Sequence, residues 1–314
     1  MKPRRAIPRI SVLVPAYNAQ AYLREAIESV LADPREDLQL VVVDDGSIDD
    51  TAAILASYVD PRLKIVHQTN SGLPEARNAG IRNSEGEYLV FFDADDIYAP
   101  EALDPLIRAL ETKPGSVLSY GRYERFFGSP ERTVRGPADR IAGRPEGDVL
   151  RAILQANFIG ALGACCVPRW AIERAGPFNS RLKMCEDWEY YCRLAAVGPF
   201  VFVPEVRPLL YRQHPASMSA SLGSEMSAYE DFTNTVFSAP AVVRRFPARE
   251  LARIRKSHLA HLHAYISLRL LDANRVTDSI AELVSAVRLF PPRAIEFAGR
   301  FAWRMLNRRP GTRQ

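Results

Sequence analysis

Several features that would name a chemistry outright are missing from these 314 residues. No GxGxxG turn and no GxxxxGK[ST] loop occurs, so a bound phosphate is not cradled by a glycine-rich loop of either familiar kind. The four cysteines, Cys165, Cys166, Cys185 and Cys192, form no CxxC pair and have no histidines at finger-like spacing, which argues against a structural zinc site. Adjacent Cys165 and Cys166 sit in an apolar run and read as small, reduced core residues. No stretch approaches the ~20 apolar residues of a membrane-spanning helix. The basic N-terminus "MKPRRAIPRI" also lacks the apolar run of a signal peptide. The expectation is a cytoplasmic chain, at most seated on the inner face of a membrane. One-sided charge is absent as well: 41 basic and 37 acidic residues leave a net +4, too mild to indicate a nucleic-acid partner.

What is present is a strand–helix rhythm. Four short runs, "RISVLVPAYN", "LQLVVVDDGS", "RLKIVHQTN" and "GEYLVFFDADD", have continuous apolar cores, which predicts central strands covered on both faces. Between them, Leu23, Ile27, Val30 and Leu31 share one helical face. Ser47 and Asp50 have the spacing of a capping box before a second helix, and "SGLPEARNAGIRNS" predicts a third. The alternation predicts an α/β fold with a Rossmann-like, mostly parallel sheet flanked by helices. From about residue 121 to 147 the chain turns polar, as loops or an edge ribbon. Beyond Ser221 the pattern is helical and basic. The expected organisation is a first domain over residues 1–221 and a helical C-terminal extension over 222–314.

Open sheets of this kind bind ligands outside the carboxyl ends of their strands. The polar residues closing the four runs are Asn18, Asp44 and Asp45, Asn70, then Asp93, Asp95 and Asp96. The last three are carboxylates within four positions. Two like charges about 6 Å apart at an effective dielectric near 20 repel by roughly 3 kcal/mol, so a positive partner is expected among them. A hard divalent cation, held by one or two carboxylates and by diphosphate oxygens, meets that need. Alternate residues of an extended segment point the same way, so Asp93 and Asp95 can face one ligand together.

Six segments, "SVLVPAYNAQAYLREAIESVL", "VVVDDGSIDDT", "HQTNSGLPEARNAGI", "FFDADD", "CEDWEYYCRLA" and "YRQHPAS", stand in an order and spacing that resembles family 2 glycosyltransferases, from about Ile10 to Ser219. The resemblance implies a GT-A fold and an inverting enzyme. It implies a nucleotide-diphosphate sugar as donor, most commonly a UDP-sugar, and a divalent metal, Mn2+ or Mg2+. It places Pro15, Ala16 and Tyr17 along the nucleotide base and Asp45 at the base's N3–H. Arg77 is placed at the nucleotide or its phosphates, Asp93 at the ribose and Asp95 on the metal. Asp187 matches the catalytic base; His214 matches a late histidine closing over the diphosphate or metal, with Arg212 beside it among the donor-binding residues. The acceptor would be a saccharide or a lipid-linked saccharide of cell-surface polysaccharide or glycolipid synthesis.

Plainer roles compete at several positions. Asn18 fits a helix N-cap as well as a ligand contact. Asp49 and Asp50 suit the first turn of a helix, and Asp96 suits the start of the next one. His67 reads as a core or strand-end histidine. Trp188, Tyr190 and Tyr191 fit either an acceptor pocket or core. In "PPRAIEFAGRFAWRMLNRRPGTRQ", Ala294, Phe297, Phe301 and Met305 form one side, beside Arg300, Arg304, Arg308, Arg309 and Arg313. Such a helix either lies on an anionic membrane surface or packs its apolar side on the catalytic domain. A receiver-like module would need an acid ending the third strand, where "IVHQTN" has none. A nucleotidyltransferase would bring a basic, glycine-rich triphosphate loop. A non-catalytic sugar-nucleotide-binding relative would not need "DAD" and "ED" intact.

Overall fold

The computed structural model describes residues 8–99, 101–130, 133–134, 144–214 and 225–292, together with 295, 297, 299, 301 and 302. The chain divides into two compact units, Met1–Val149 with Phe158–Ser221, and Leu150–Asn157 with Leu222–Gln314.

In the first unit β1 (Ile10–Ala16), α1 (Leu23–Leu31), β2 (Leu38–Asp44), α2 (Thr51–Ala56), β3 (Leu63–His67), α3 (Leu73–Asn83) and β4 (Tyr88–Phe91) alternate strictly. There follow β5 (Ile97–Tyr98), α4 (Leu103–Thr112), β6 (Leu118–Tyr120), β7 (Tyr123–Phe126) and β8 (Thr133–Val134). After α5 (Leu150–Gln155), which belongs to the second unit, come β9 (Cys165–Pro168), α6 (Arg169–Ala175), α7 (Glu186–Val197), β10 (Phe200–Phe202) and β11 (Leu209–Arg212). Seven strands make one sheet in the order β10-β6-β9-β4-β1-β2-β3, parallel except for β9, which runs against both neighbours. A smaller sheet, β5-β11-β7-β8, stands beside the carboxyl end of β4.

Every residue of β1, β2 and β4 is buried, as a strand with helices on both faces requires. β3 departs from the expectation of a central strand. It is the sheet's edge and half-exposed, with Lys64 Nζ reaching the Asn83 carbonyl at 2.9 Å. A run as short as "LKIV" reads alike at an edge and at the centre, because its apolar length is set by one covered face. Leu23, Ala26, Ile27 and Val30 of α1 join Val12, Val14, Leu40 and Val42 in a single core. The polar stretch expected over 121–147 yields β7 and β8 of the smaller sheet; residues 131–132 and 135–143 lie outside the described residues.

The second unit holds α5, α8 (Glu225–Ser238), α9 (Pro240–Val243), α10 (Ala248–Asp272) and α11 (Val276–Leu289). The sequence reading left α5 in the first domain. Its Leu150, Ile153 and Leu154 are buried, and α5 is tied to α10, where His258 Nδ1 bonds the Leu154 carbonyl at 2.8 Å. Phe297 is buried with Ala264 and Leu268 of α10 and Ala286 of α11, and Phe301 packs against that cluster. Phe297 and Phe301 of that apolar side thus pack within the second unit. Ala294, Arg300, Arg304, Met305, Arg308, Arg309 and Arg313 lie outside the described residues. Among the described residues no helix is long and apolar enough to cross a membrane.

Candidate active site

The parallel strands β1, β2 and β4 deliver their ends to one rim, and hydrogen bonds fix the loops there. Pro15 and Ala16 stay inside the sheet, both buried, while Tyr17 emerges with 51% of its surface exposed. Asn18 neither caps α1 nor stands free. It adopts a left-handed φ of 48°, accepts the Ile48 N–H on Oδ1 at 2.9 Å and donates its own N–H to Ser47 Oγ at 3.0 Å. Ser47 is thereby used, and the expected capping box does not form. Instead Asp49 Oδ1 accepts the Thr51 N–H at 3.0 Å, beside the start of α2.

Asp44 is buried; burial would raise its pKa, but the Ser47 N–H (3.0 Å) and His67 Nδ1 (3.1 Å) hold it below the ordinary aspartate value. Asp45 accepts Gln68 Nε2 at 2.7 Å and the Ser71 N–H at 2.9 Å on Oδ1, and the Gly72 N–H at 2.8 Å on Oδ2. It is the tie that holds the β3–α3 loop against the rim. Oδ2, which accepts the Gly72 N–H, keeps a second lone pair for a ligand N–H. Gly46, directly after Asp45, has φ +73°, and a Cβ there would lie 2.7 Å from the Asn70 backbone N. "DDGS" therefore needs its glycine for the loop that crosses it.

The acid turn after β4 resolves into three different environments. Asp96 does not begin a helix. It is 1% exposed, directly precedes β5, and accepts the Arg212 N–H on Oδ1 at 2.8 Å. Burial, then Asp93 and Asp95, push its pKa well above the usual carboxylate range. Asp95 Oδ2 lies 2.8 Å from His214 Nε2. Burial and the Asp93 charge raise its pKa, against the opposing histidine. Arg212 is committed to the fold. Its guanidinium lies between the Tyr22 ring (4.6 Å) and the Phe126 ring (4.5 Å), gives Nε to the Asp95 carbonyl at 2.7 Å and pairs with Glu25. These contacts give Arg212 a positioning role: it shapes the turn that carries Asp95.

Arg77 supplies positive charge among the acids from the chain itself. Only 4% exposed, it gives NH2 to Asp93 Oδ1 at 3.0 Å and NH1 to Glu186 Oε1 at 2.6 Å. Burial alone would favour losing its proton, but Asp93, Glu186 and Asp187 hold it firmly charged. Its Nε is buried with no partner among the described residues. The guanidinium thus faces Glu186 and Asp93 together.

α7 starts from Cys185, whose φ of 59° is left-handed, a conformation that costs a non-glycine residue about 1–2 kcal/mol. The turn directs Glu186 to Arg77 and leaves Asp187 half-buried, accepting the Trp188 N–H at 2.6 Å. Burial first, and then the neighbouring Glu186, push Asp187 up to about 7, with Arg77 opposing. Trp188, Tyr190 and Tyr191 are buried core; Tyr190 stacks on Phe178 at 4.0 Å. All four cysteines are free thiols.

Among the described residues, no group of three or more His, Cys, Asp or Glu side chains is assembled to hold a metal. Asp95 and His214 nonetheless present an oxygen and a nitrogen donor 2.8 Å apart, beside the further negative charge of Asp93. That partial set suits a hard ion that keeps water and takes the rest of its shell from phosphate oxygens.

The sequence profile of glycosyl transferase family 2 matches residues 11–172, slightly more than half of the chain. The chain belongs to glycosyl transferase family 2. The glycosyltransferase is 28% identical over 233 residues to the uncharacterized glycosyltransferase RP339 of Rickettsia prowazekii, spanning 74% of this chain and 72% of that one. Its fold matches S. aureus TarS 1-349 in complex with UDP-GlcNAc, with a TM-score of 0.65 and 19% identity over 92% of this chain and 83% of that one. It also matches a mannosyltransferase from Pyrobaculum calidifontis in complex with GDP-Man and Mn2+, with a TM-score of 0.56 and 20% identity over 96% of this chain and 81% of the other. At such identities the two structures speak for the fold alone. Both agree with the mostly parallel sheet of this glycosyltransferase.

Sequence reasoning missed Glu186, Glu25, Tyr22 and Phe126. Glu186 enters the sequence argument only within "ED", with no role of its own. The partnership of Glu25 with Arg212, 187 positions apart, leaves no local signal.

Proposed function

We propose that this glycosyltransferase moves a sugar from a UDP-sugar to an acceptor hydroxyl with inversion at the anomeric carbon. The carrying observation is the placement of Asp187, half-buried in the first turn of α7 beside Glu186, which Arg77 ties to Asp93 of the acid turn. The acceptor oxygen attacks the anomeric carbon opposite the departing diphosphate, which leaves with the bonding electrons. Asp187 takes the hydroxyl proton as the new bond forms, a contribution of about 10²–10⁴-fold. Tyr17, exposed at the end of β1, and the free lone pair of Asp45 Oδ2 suit a base carrying an N–H. Asp93 accepts from the ribose. A divalent ion, Mn2+ or Mg2+, with Asp95 and His214 as its protein ligands, would supply Lewis-acid neutralisation of the diphosphate's charge. Following the family resemblance, the acceptor is a saccharide or lipid-linked saccharide of cell-surface polymer synthesis.

The pH dependence has a definite sign. Asp187 accepts a proton only when ionised, so transfer falls about tenfold per pH unit below about 7 and levels off above it. A rate that stays flat between pH 5 and 7 would rule out a base with this proton affinity.

A melting-temperature panel of nucleotide sugars, each with and without Mn2+, tests the donor. A ligand at 100 times its Kd stabilises by about 2.7 kcal/mol, enough to move the transition measurably. UDP-sugars with Mn2+ are expected to give the largest rise, and Asp95→Ala to lose the part that depends on the metal. If no nucleotide sugar raises the melting temperature, or if Asp95→Ala keeps the Mn2+-dependent rise, the donor or the metal assignment falls.

A further inference from the structure

We infer that Arg77 and Glu186 are positioning residues that set the proton affinity of Asp187, an inference that rests on reading Asp187 as the base. One buried guanidinium joins two separate elements: NH2 holds Asp93, after β4, and NH1 holds Glu186, the first residue of α7. The planar fork fixes both acids at once, which a flexible ammonium would not do. Asp187 is the next residue, so the anchor that seats Glu186 also seats the base. Arg77 lies over the Phe178 ring at 5.5 Å, and Phe178 stacks on Tyr190 of α7, so packing repeats the constraint that the ion pairs impose.

The same arrangement decides which charges Asp187 meets. Glu186 comes from its own helix, Arg77 from α3, and Asp93 from the turn after β4. Cys165 of β9, Tyr191 and Cys192 of α7, and Cys185 before it also interact with Asp187. Burial pushes the Cys165 thiol up to about 12 and raises the other three, so all four are neutral at neutral pH. The balance is therefore one cation against two carboxylates. Removing the Glu186 charge leaves Arg77 less opposed and makes Asp187 easier to ionise; removing the Arg77 charge does the reverse.

The test is a carboxyl 13C NMR titration of the full chain labelled at aspartate, with the Asp187 resonance identified by its loss in Asp187→Asn. Wild type should titrate near 7. Glu186→Gln should move the midpoint down by about one pH unit, and Arg77→Gln up by a similar amount, since the first removes a like charge and the second an opposite one. Circular dichroism establishes which variants are folded, and either folded variant suffices. An ordinary aspartate midpoint in wild type, or an unmoved midpoint in a folded variant, overturns the inference. Transfer by Asp187→Asn is measured separately: normal activity there removes Asp187 as the base while leaving the titration result intact.

Discussion

Asp187→Asn lowers sugar transfer by about 10²-fold or more while nucleotide-diphosphate affinity stays at its wild-type value. The asparagine keeps the volume and accepts the same Trp188 N–H, so the first turn of α7 is undisturbed. What it loses is the capacity to take a proton. Asp187 is placed for that task by its environment: a carboxyl with an ordinary midpoint would be a poor proton acceptor at neutral pH, and burial beside Glu186 brings it up to about 7. Paired measurements decide the matter, calorimetric binding of UDP and steady-state release of UDP from a UDP-sugar. Transfer within a few-fold of wild type would remove Asp187 from the mechanism. Lost UDP binding would point to a donor-side role instead.

The second large effect is on stability. Arg77→Ala should destabilise the first unit by about 3 kcal/mol, the lower end of the range for breaking a buried ion pair by removing one partner. Glu186 is left with a side chain 10% exposed and no cation, while Asp93, at 33%, recovers part of its solvation. The guanidinium's contact with Phe178 goes as well. Urea denaturation of wild type and variant, followed by tryptophan fluorescence, measures the difference. A midpoint unchanged within error would mean that the three acids carry their charges without Arg77.

Much of the frame was legible. Continuous apolar runs such as "VLVPA" and "LVVVD" specify buried strands because burial on both faces forbids alternation. The acids that follow them fall at carboxyl ends by chain direction alone. Composition could not separate the three acids of "DADD". Asp93 meets Arg77, Asp95 meets His214, and Asp96 is sealed beneath the Arg212 N–H, although the spacing treats them alike. Spacing is equally silent on the partners of Arg212. A cationic side chain beside a rim histidine suggests a phosphate, but its partners are Glu25, Tyr22 and Phe126.

The sequence by itself determined the alternating elements, the parallel sheet, the rim and the family, because periodicity, strand ends and ordered short motifs are local properties. Only the tertiary structure decided which positive charge answers which acid. Arg77 and Glu186 stand 109 positions apart, and Asp95 and His214 stand 119 apart. Coulomb energy depends on separation in space and on burial, and neither is written in the spacing of residues along the chain.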